Sequence, residues 1–378
     1  MLPPPTAAVV TMPEPPTSTT GAHASDDGTA LPQLPDGDLR DDPRADPRMV
    51  AALAAFGLDR QSPPLPVAAD SPREALLDYA AQTEAGFGGL FDALLTGLAP
   101  VRGVSQETAI VAGPDGNDMS LRIHRPTVRP GNGPLPCVVH FHGGGGVILS
   151  AADPCYERWR DELAAQGAMV VGVEFRNAAG KLGNHPYPAG LNDCAAATAW
   201  VLEHRAELNV GAVVVSGESG GGNLALAVAL KAAREHWSRR PDGVYAIAPM
   251  IASRWDKPAD LPSQTENDGY LISCGLLAVM GALYDPLGAH SNDPLCWPQR
   301  ASDADLVGLP AHVISVNELD PLRDEGLSYQ RRLLRNGVSA VGRIVTGTVH
   351  AGDVFFAAAM PDVYAATIRD IHGFAGQL

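Results

Sequence analysis

The sequence predicts an α/β protein with a mostly parallel central sheet flanked by helices, and three observations support this prediction. Short apolar runs alternate with helical patterns from Cys137 to the end of the chain. Most of these runs are continuous in apolar residues, as in strands buried on both faces of a parallel sheet. A turn signature at Gly113–Asn117 lies between two earlier strand-like runs and is typical of a hairpin. Together they favour a doubly wound sheet with right-handed crossovers.

The individual elements follow from these patterns. The predicted strands are Val104–Val111, Met119–His124, Cys137–His142, Ala168–Phe175, Ala212–Gly217, Val244–Ala248, His312–Val316 and Val341–Val345. The predicted helices between and after them are Tyr156–Gln166, Leu191–His204, Gly220–Arg234, Pro321–Arg335 and Ala359–Phe374. Residues 251–309 interrupt the alternation with many turn residues and one predicted helix at Leu276–Leu283. We expect this stretch to be an insertion beside the active site.

The first hundred residues divide into a tail and a cap. Residues 1–44 are rich in Pro, Thr, Gly and Asp and offer little apolar surface to bury, so we expect them to be disordered or draped over the surface. Residues 45–98 contain two short helical patterns, Met49–Leu53 and Pro72–Tyr79, which predict a helical N-terminal cap. Residues 99–378 form the predicted catalytic domain. The cap and the insertion are expected to form a lid together.

Composition excludes several classes of protein. The 378 residues carry 43 acidic against 27 basic side chains, a net charge of −16 that argues against nucleic acid and an anionic membrane surface as partners. No apolar stretch is long enough to span a bilayer, and the N-terminus lacks the pattern of a secretory signal. Five cysteines without a C-x-x-C pair argue against a zinc site or a disulfide framework. We expect a cytoplasmic protein, with leaderless secretion as the alternative.

A serine lies where a strand turns sharply into a helix. Gly217-Glu218-Ser219-Gly220-Gly221 matches the G-x-S-x-G pattern of a nucleophile elbow, and it follows an apolar strand and begins an alanine-rich helix. The small neighbours allow the tight turn, and the helix N-terminus favours negative charge developing nearby. A glycine-rich turn without chemical function is the alternative, since the pattern alone is common. The strand-turn-helix context favours a nucleophilic Ser219.

A second glycine-rich loop follows an earlier strand. His142-Gly143-Gly144-Gly145-Gly146 offers backbone N–H groups without side chains in the way, as an oxyanion hole requires. A phosphate-binding loop is the alternative, but the sequence has neither the Lys-Ser/Thr ending nor the helix-opening G-x-G-x-x-G of such a loop.

An acid and a base follow the nucleophile in the order that a catalytic triad on this kind of sheet requires. Asp320 lies at the end of a predicted strand, where the alternative role is a helix N-cap. His350 lies in the loop immediately after the last predicted strand. A second histidine, His372, starts the triplet His-Gly-Phe but lies near the end of the terminal helix, which runs away from this edge of the sheet. We therefore predict His350 as the base.

These four motifs in this order resemble those of the bacterial esterases related to hormone-sensitive lipase, which have the α/β-hydrolase fold. The resemblance rests on His142–Gly146, Gly217–Asn223, Asp320–Gly326 and His350, and it covers the chain from about Val101 to the C-terminus. Before Val101 the chain is similar only in having a variable cap. The four motifs together are specific, although each alone is not.

The chain departs from the family pattern at two places. Glu218 and Gly220 stand beside the serine where the family often has Asp and Ala. Ala351 and Gly352 follow the histidine where the family usually has Gly and Phe. Neither change removes a reactive group.

The resemblance implies a serine carboxylesterase that hydrolyses short-to-medium acyl, aryl or lactone esters through an acyl-enzyme. Ser219 is the implied nucleophile, His350 its base and Asp320 the group that orients the base. Three glycines are the implied oxyanion donors: Gly144, Gly145 and Gly220.

No cofactor or metal is implied, and the implied partner is a small-molecule ester. The oligomeric state stays open, with a homodimer as one alternative. An amidase or acyltransferase with the same triad stays open too, and so does a non-enzymatic small-molecule receptor on the same fold.

Overall fold

Eight strands form one sheet in the computed structural model, which describes residues 37–129, 131 and 133–378. The strands are β1 (Val104–Ala112), β2 (Asp118–Pro126), β3 (Leu135–Phe141), β4 (Met169–Glu174), β5 (Val210–Glu218), β6 (Gly243–Ile247), β7 (Ala311–Leu319) and β8 (Ala340–Val349). Their order across the sheet is β1-β2-β4-β3-β5-β6-β7-β8. The first two pairings are antiparallel and the remaining five are parallel. The predicted mostly parallel sheet is therefore confirmed.

Twelve α-helices accompany the sheet in the described part of the chain. They are α1 (Pro47–Ala54), α2 (Arg73–Leu94), α3 (Pro154–Ala165), α4 (Ala189–Glu203), α5 (Arg205–Leu208), α6 (Gly220–Arg234), α7 (Ser263–Glu266), α8 (Cys274–Tyr284), α9 (Asp303–Leu306), α10 (Arg323–Arg335), α11 (Gly352–Phe355) and α12 (Pro361–Gly376). Buried residues of α3 and α12 form a core with one face of the sheet, and those of α4, α6 and α10 form a core with the other.

Successive valines of the central strands are buried alternately in the two cores. Val138 and Val214 belong to the core on the α3 side, and Val139 and Val215 belong to the core on the α6 side. All four side chains are fully buried. Each contributes about 1.5–3 kcal/mol relative to an exposed position. The continuous apolar runs in the sequence arise because both faces of these strands are covered.

The second cap helix is much longer than predicted. The pattern predicted a helix ending at Tyr79, whereas α2 continues through Gly86, Gly88 and Gly89 to Leu94. Glycine in a helix costs about 1 kcal/mol relative to alanine, which made the sequence pattern end early. Tertiary burial outweighs that cost, since the helix continues to place apolar residues in the core beyond the glycines (Leu90, Phe91 and Leu94).

The packed chain also begins earlier than predicted. Residues 1–36 of the predicted tail lie outside the described residues. Its last part does not drape over the surface, because Leu39 is fully buried in the core and the carboxylate of Asp42 is buried against Arg44. None of the helices in the described part of the chain combines the length and the apolar character that a membrane span requires. The five cysteines are all buried, and each is a free thiol.

Candidate active site

Ser219 lies at a strained turn between β5 and α6. Its backbone has φ 58° and ψ −119°, a conformation that a residue with a side chain rarely adopts. The end of β6 and the segment after it fix this turn by two hydrogen bonds. The N–H of Ser219 donates to the carbonyl of Ile247 at 2.9 Å, and the N–H of Met250 donates to the carbonyl of Ser219 at 3.1 Å. A Cβ on Gly217 or Gly221 would lie within 2.5 Å of backbone atoms of the elbow or of β3. The G-x-S-x-G pattern therefore reflects a turn without room for side chains.

Asp320 and His350 follow directly after two paired residues of neighbouring strands. Leu319, the last residue of β7, is paired in register with Val349, the last residue of β8. The next residue on each strand is thus brought to the same edge, where Nδ1 of His350 lies 2.8 Å from Oδ2 of Asp320. The other carboxylate oxygen of Asp320 accepts the N–H of Leu322 at 2.9 Å. The carboxylate is completely buried, so its interaction with the imidazole is not screened by water.

The last strand is longer than the sequence predicted. We expected it to end at Val345 and a loop to carry His350, but β8 continues to Val349 through a register shift. Gly347, at φ 74°, allows the irregular backbone within this extension. The extension places His350 in the turn directly after β8. His372 lies within α12, as expected.

The glycine-rich loop after β3 contacts the elbow. Gly144, Gly145 and Gly146 all have positive φ, and a Cβ on Gly144 would lie 2.2 Å from the carbonyl oxygen of Ile148. A Cβ on Gly220 would lie 2.5 Å from the backbone of Gly145. Close approach of the two backbones is possible only because both sides lack side chains. The backbone of the loop thereby lies against the elbow.

A single cavity brings these pieces together. Gly144, Gly145, Ser219 and His350 all line it. Gly220 is not among the lining residues, but its backbone lies against that of Gly145. Asp320 lies behind His350 and is fully buried. Ser219 and His350 share the cavity, and no hydrogen bond joins the serine hydroxyl to the imidazole in the described part of the chain.

Most of the remaining cavity wall is apolar, and much of it comes from the cap and the insertion. Glu218, the residue before Ser219, also lines it. The cap helix α2 contributes Phe87 and Phe91, and the insertion contributes several aliphatic side chains: Leu271, Ile272, Leu276, Leu277 and Met280. Phe91 stacks on Phe355 at 4.1 Å between ring centroids, which joins the cap to the chain just after His350. Two tryptophans of the insertion, Trp255 and Trp297, pack edge-to-face against each other outside this cavity.

Polar residues that the sequence analysis did not single out fix the chain around His350. Oδ1 of Asn317, in β7, accepts the N–H of Ala351 at 3.0 Å, and its Nδ2 donates to Asp353 at 2.9 Å. Thr367 of α12 donates to the other oxygen of Asp353 at 2.8 Å. Burial raises the pKa of Asp353. The available signal was Asn317 itself, an amide that follows the apolar residue Val316 near the end of a buried strand.

A further amide holds the backbone on the Asp320 side. Nδ2 of Asn267, in the insertion, donates to the carbonyls of Glu318 and Asp320, both at 3.1 Å. The insertion therefore supports the acid as well as covering the cavity. Among the described residues, no group of three or more His, Cys, Asp or Glu side chains is placed to hold a metal ion.

Comparison with known proteins agrees with this geometry. Residues 138–353 match a protein family described by its alpha/beta hydrolase fold. The chain belongs to the α/β-hydrolase family. Within this family it is one of the esterases related to hormone-sensitive lipase. The structure of brefeldin A esterase, described as a bacterial homologue of human hormone-sensitive lipase, is 44% identical with a TM-score of 0.86, covering 89% of this chain and 95% of that one.

Two curated α/β-hydrolases from Mycobacterium tuberculosis are also similar. Esterase LipI is 33% identical over 69% of this chain and 78% of its own length. Carboxylesterase NlhH is 36% identical over 67% of this chain and 77% of its own. The esterase Est22 structure is 38% identical with a TM-score of 0.79, covering 90% of this α/β-hydrolase and 99% of that chain. The chain thus belongs to a family of carboxylic ester hydrolases.

Proposed function

We propose that this α/β-hydrolase is a serine carboxylesterase that uses Ser219, His350 and Asp320 as its triad. The proposal rests on one observation. Ser219, in a strained elbow, shares a cavity with His350, and Nδ1 of His350 lies 2.8 Å from the buried carboxylate of Asp320. This arrangement supplies a nucleophile, a base and a group that orients the base.

In the proposed acylation step, Nε2 of His350 takes the proton of the Ser219 hydroxyl while Oγ attacks the ester carbonyl carbon. Asp320 accepts the Nδ1–H of His350, which fixes the tautomer that leaves Nε2 free to act as a base and stabilises the imidazolium that forms. The tetrahedral intermediate then loses its C–O bond to the alcohol part as the imidazolium protonates that oxygen, so an alcohol leaves and the acyl group stays on Ser219. Water then attacks the acyl-enzyme by the reverse proton transfers.

The proposed oxyanion hole is formed by backbone N–H groups of Gly144, Gly145 and Gly220. Their support is positional: two of them line the cavity beside Ser219, and the third follows the serine at the start of α6. The N-terminus of α6 adds positive potential where the former carbonyl oxygen of the ester becomes negative in the tetrahedral intermediate. A fixed donor of this kind contributes about 2.7–4 kcal/mol of transition-state stabilisation.

The proposed substrates are small esters with apolar acyl or alcohol parts, including short-to-medium acyl, aryl and lactone esters. The support is the cavity itself, whose walls are mainly Phe, Leu, Ile and Met side chains around a few polar groups. Such a lining favours apolar groups of the substrate, and the few polar groups of the cavity orient the substrate.

Hydrolysis of p-nitrophenyl butyrate by the wild type and by Ser219→Ala tests the proposal. We expect loss of a triad nucleophile to reduce kcat by about a million-fold. Ser238→Ala, at an exposed serine, is the matched control and is expected to keep wild-type kcat. Hydrolysis that persists in purified Ser219→Ala contradicts the proposal.

The same assay separates the alternatives that the triad leaves open. Faster turnover of the matching p-nitroanilide indicates an amidase. Preferential transfer of the butyryl group to an added alcohol rather than to water indicates an acyltransferase. Binding of esters without turnover by the wild type indicates a receptor.

A further inference from the structure

Glu218, the residue directly before Ser219, has both carboxylate oxygens engaged by the segment that leads into the glycine-rich loop. Its Oε1 accepts the N–H of Gly143 at 2.5 Å, and its Oε2 lies 3.1 Å from Nε2 of His140. Both partners belong to β3 or follow it immediately, whereas Glu218 ends β5. One side chain therefore connects the strand end that carries the serine to the strand end that carries the loop.

The position is costly for a carboxylate. Glu218 and His140 are both essentially inaccessible to water. Moving an ionised carboxylate out of water costs several kcal/mol even after relaxation, and well-packed apolar residues often replace a buried ion pair without loss of stability. Stability alone does not account for such a group between the two loops.

The anchored residue precedes the proposed oxyanion donors. Gly143 is followed by Gly144 and Gly145 at φ 90° and 71°, and neither has a side chain that restricts its backbone. Proposed donors of this kind must be held within about 0.5 Å of their working positions. The hydrogen bond to the N–H of Gly143 fixes the orientation of that peptide group. It thereby fixes where the chain continues to the N–H groups of Gly144 and Gly145.

His140 fixes the other end of the carboxylate. With Nε2 protonated, it donates to Oε2 of Glu218, which leaves Oε1 aimed at Gly143. The ring of Tyr156 packs against both His140 and His142, with centroid distances of 6.0 and 5.6 Å. A Cβ on Gly143 would lie 3.0 Å from Oε1 of Glu218 and 3.2 Å from the Tyr156 hydroxyl, so the surroundings are closely packed.

We propose that Glu218, oriented by His140, is a positioning residue that sets the oxyanion donors relative to Ser219. This inference rests on the proposed esterase function and goes beyond it, because it assigns a role to a residue outside the triad and outside the oxyanion hole. Glu218 lines the same cavity as Ser219, but both of its carboxylate oxygens are engaged by Gly143 and His140. We therefore assign its role to the N–H of Gly143 rather than to contact with the reacting ester atoms.

Three variants test this role by steady-state hydrolysis of p-nitrophenyl butyrate. Glu218→Met removes the anchor while filling the space, and we expect kcat to fall about 100-fold with KM changed less than about three-fold, as for a misplacement of about 1 Å at a reacting centre. Glu218→Gln keeps an oxygen for the Gly143 N–H and is expected to recover kcat to within about ten-fold of wild type. His140→Phe keeps a ring but removes its hydrogen bond, and we expect an intermediate kcat.

A trifluoromethyl ketone inhibitor supplies the readout that a purely structural role would not change. It adds to the serine as a tetrahedral oxyanion, so its affinity is expected to fall in Glu218→Met by about the same factor as kcat/KM. The corresponding secondary alcohol, in which the ketone carbonyl is reduced, cannot form that oxyanion and is expected to bind as in wild type.

Asp193→Leu is the control for loss of a buried carboxylate. Asp193 is fully buried in α4, pairs with Arg176 and lies outside the cavity. We expect it to lower the melting temperature while keeping wild-type kcat.

The possible results separate this inference from the function on which it rests. Wild-type kcat and inhibitor affinity in Glu218→Met overturn the inference while the esterase function stands. If Glu218→Met fails to fold, unchanged kcat and inhibitor affinity in His140→Phe overturn it in the same way. A wild type that hydrolyses no ester and forms no adduct with the ketone overturns both.

Discussion

Asn317 accepts the backbone N–H of Ala351 through Oδ1 at 3.0 Å, and so joins the end of β7 to the residue after His350. Ala351 has φ 51°, in the left-handed region that favours glycine. An alanine is held there because the surrounding hydrogen bonds outweigh the backbone strain. The same side chain donates to Thr348 and Asp353, so one amide fixes the segment on both sides of the histidine.

Replacing this amide is therefore expected to displace His350. Asn317→Ala leaves the N–H of Ala351 and an oxygen of Asp353 without their partner, at a cost of about 1–3 kcal/mol for each buried polar group. We expect kcat for p-nitrophenyl butyrate to fall at least ten-fold, together with a lower free energy of unfolding. Urea denaturation and kinetics on the same preparation measure both effects. A destabilised protein with wild-type kcat argues that the amide serves stability alone.

The choice between two histidines is testable by a matched pair of variants. His350→Ala removes the ring that lies 2.8 Å from Asp320, and we expect kcat to fall by several orders of magnitude. His372→Ala changes a partly buried residue of α12 and is expected to keep kcat within about two-fold. The opposite result assigns the base to α12 and contradicts the proposed triad.

Acyl-chain preference is expected to depend on two leucines of the insertion. Leu271 and Leu276 line the catalytic cavity and also a neighbouring surface groove bounded by Pro63–Pro66, and Phe87 is shared in the same way. Leu271→Ala and Leu276→Ala open the cavity toward this apolar groove. A longer acyl chain then gains about 0.8 kcal/mol per buried methylene.

The ratio of kcat/KM for p-nitrophenyl decanoate to that for the butyrate measures this effect. We expect it to rise about ten-fold in either variant and to stay unchanged in Leu334→Ala, whose leucine is exposed on α10. If both cavity variants keep the wild-type ratio, the leucines do not separate cavity from groove.

A pH-dependent contribution to stability is expected from Glu325. Its side chain is completely buried in α10, and burial, with the negative charge of Asp320 nearby, raises its pKa well above the ordinary value of 4.5. Between the pKa values of the unfolded and folded states, the folded state binds more protons. The free energy of unfolding therefore falls as pH rises through that range.

Glu325→Gln removes this titration and keeps an oxygen for the N–H of Ile251, which Glu325 accepts at 2.6 Å. We expect Glu325→Gln to gain stability relative to wild type as the pH is raised from 4 to 8, measured by urea denaturation at each pH. Parallel pH profiles for the two proteins contradict this expectation.

The elements that depend on local pattern and strand order were predictable from the sequence. The elbow around Ser219 has its own signature, and parallel strands bring residues such as Asp320 and His350 to one edge. The length of α2 was not predictable, because its glycines oppose a helix and only tertiary burial extends it. The contact from Glu218 to Gly143 was not predictable either, since it joins strands 75 residues apart through a side chain that no local pattern marks.

The central claim, that Ser219 is the nucleophile, is tested most directly by locating a covalent adduct. A fluorophosphonate inhibitor reacts with an activated serine and remains attached, so peptide mass spectrometry of the labelled protein identifies its site. We expect one adduct per chain, on Ser219, formed in step with the loss of esterase activity and absent from Ser219→Ala. Inactivation of the wild type with the adduct on any other residue would contradict it.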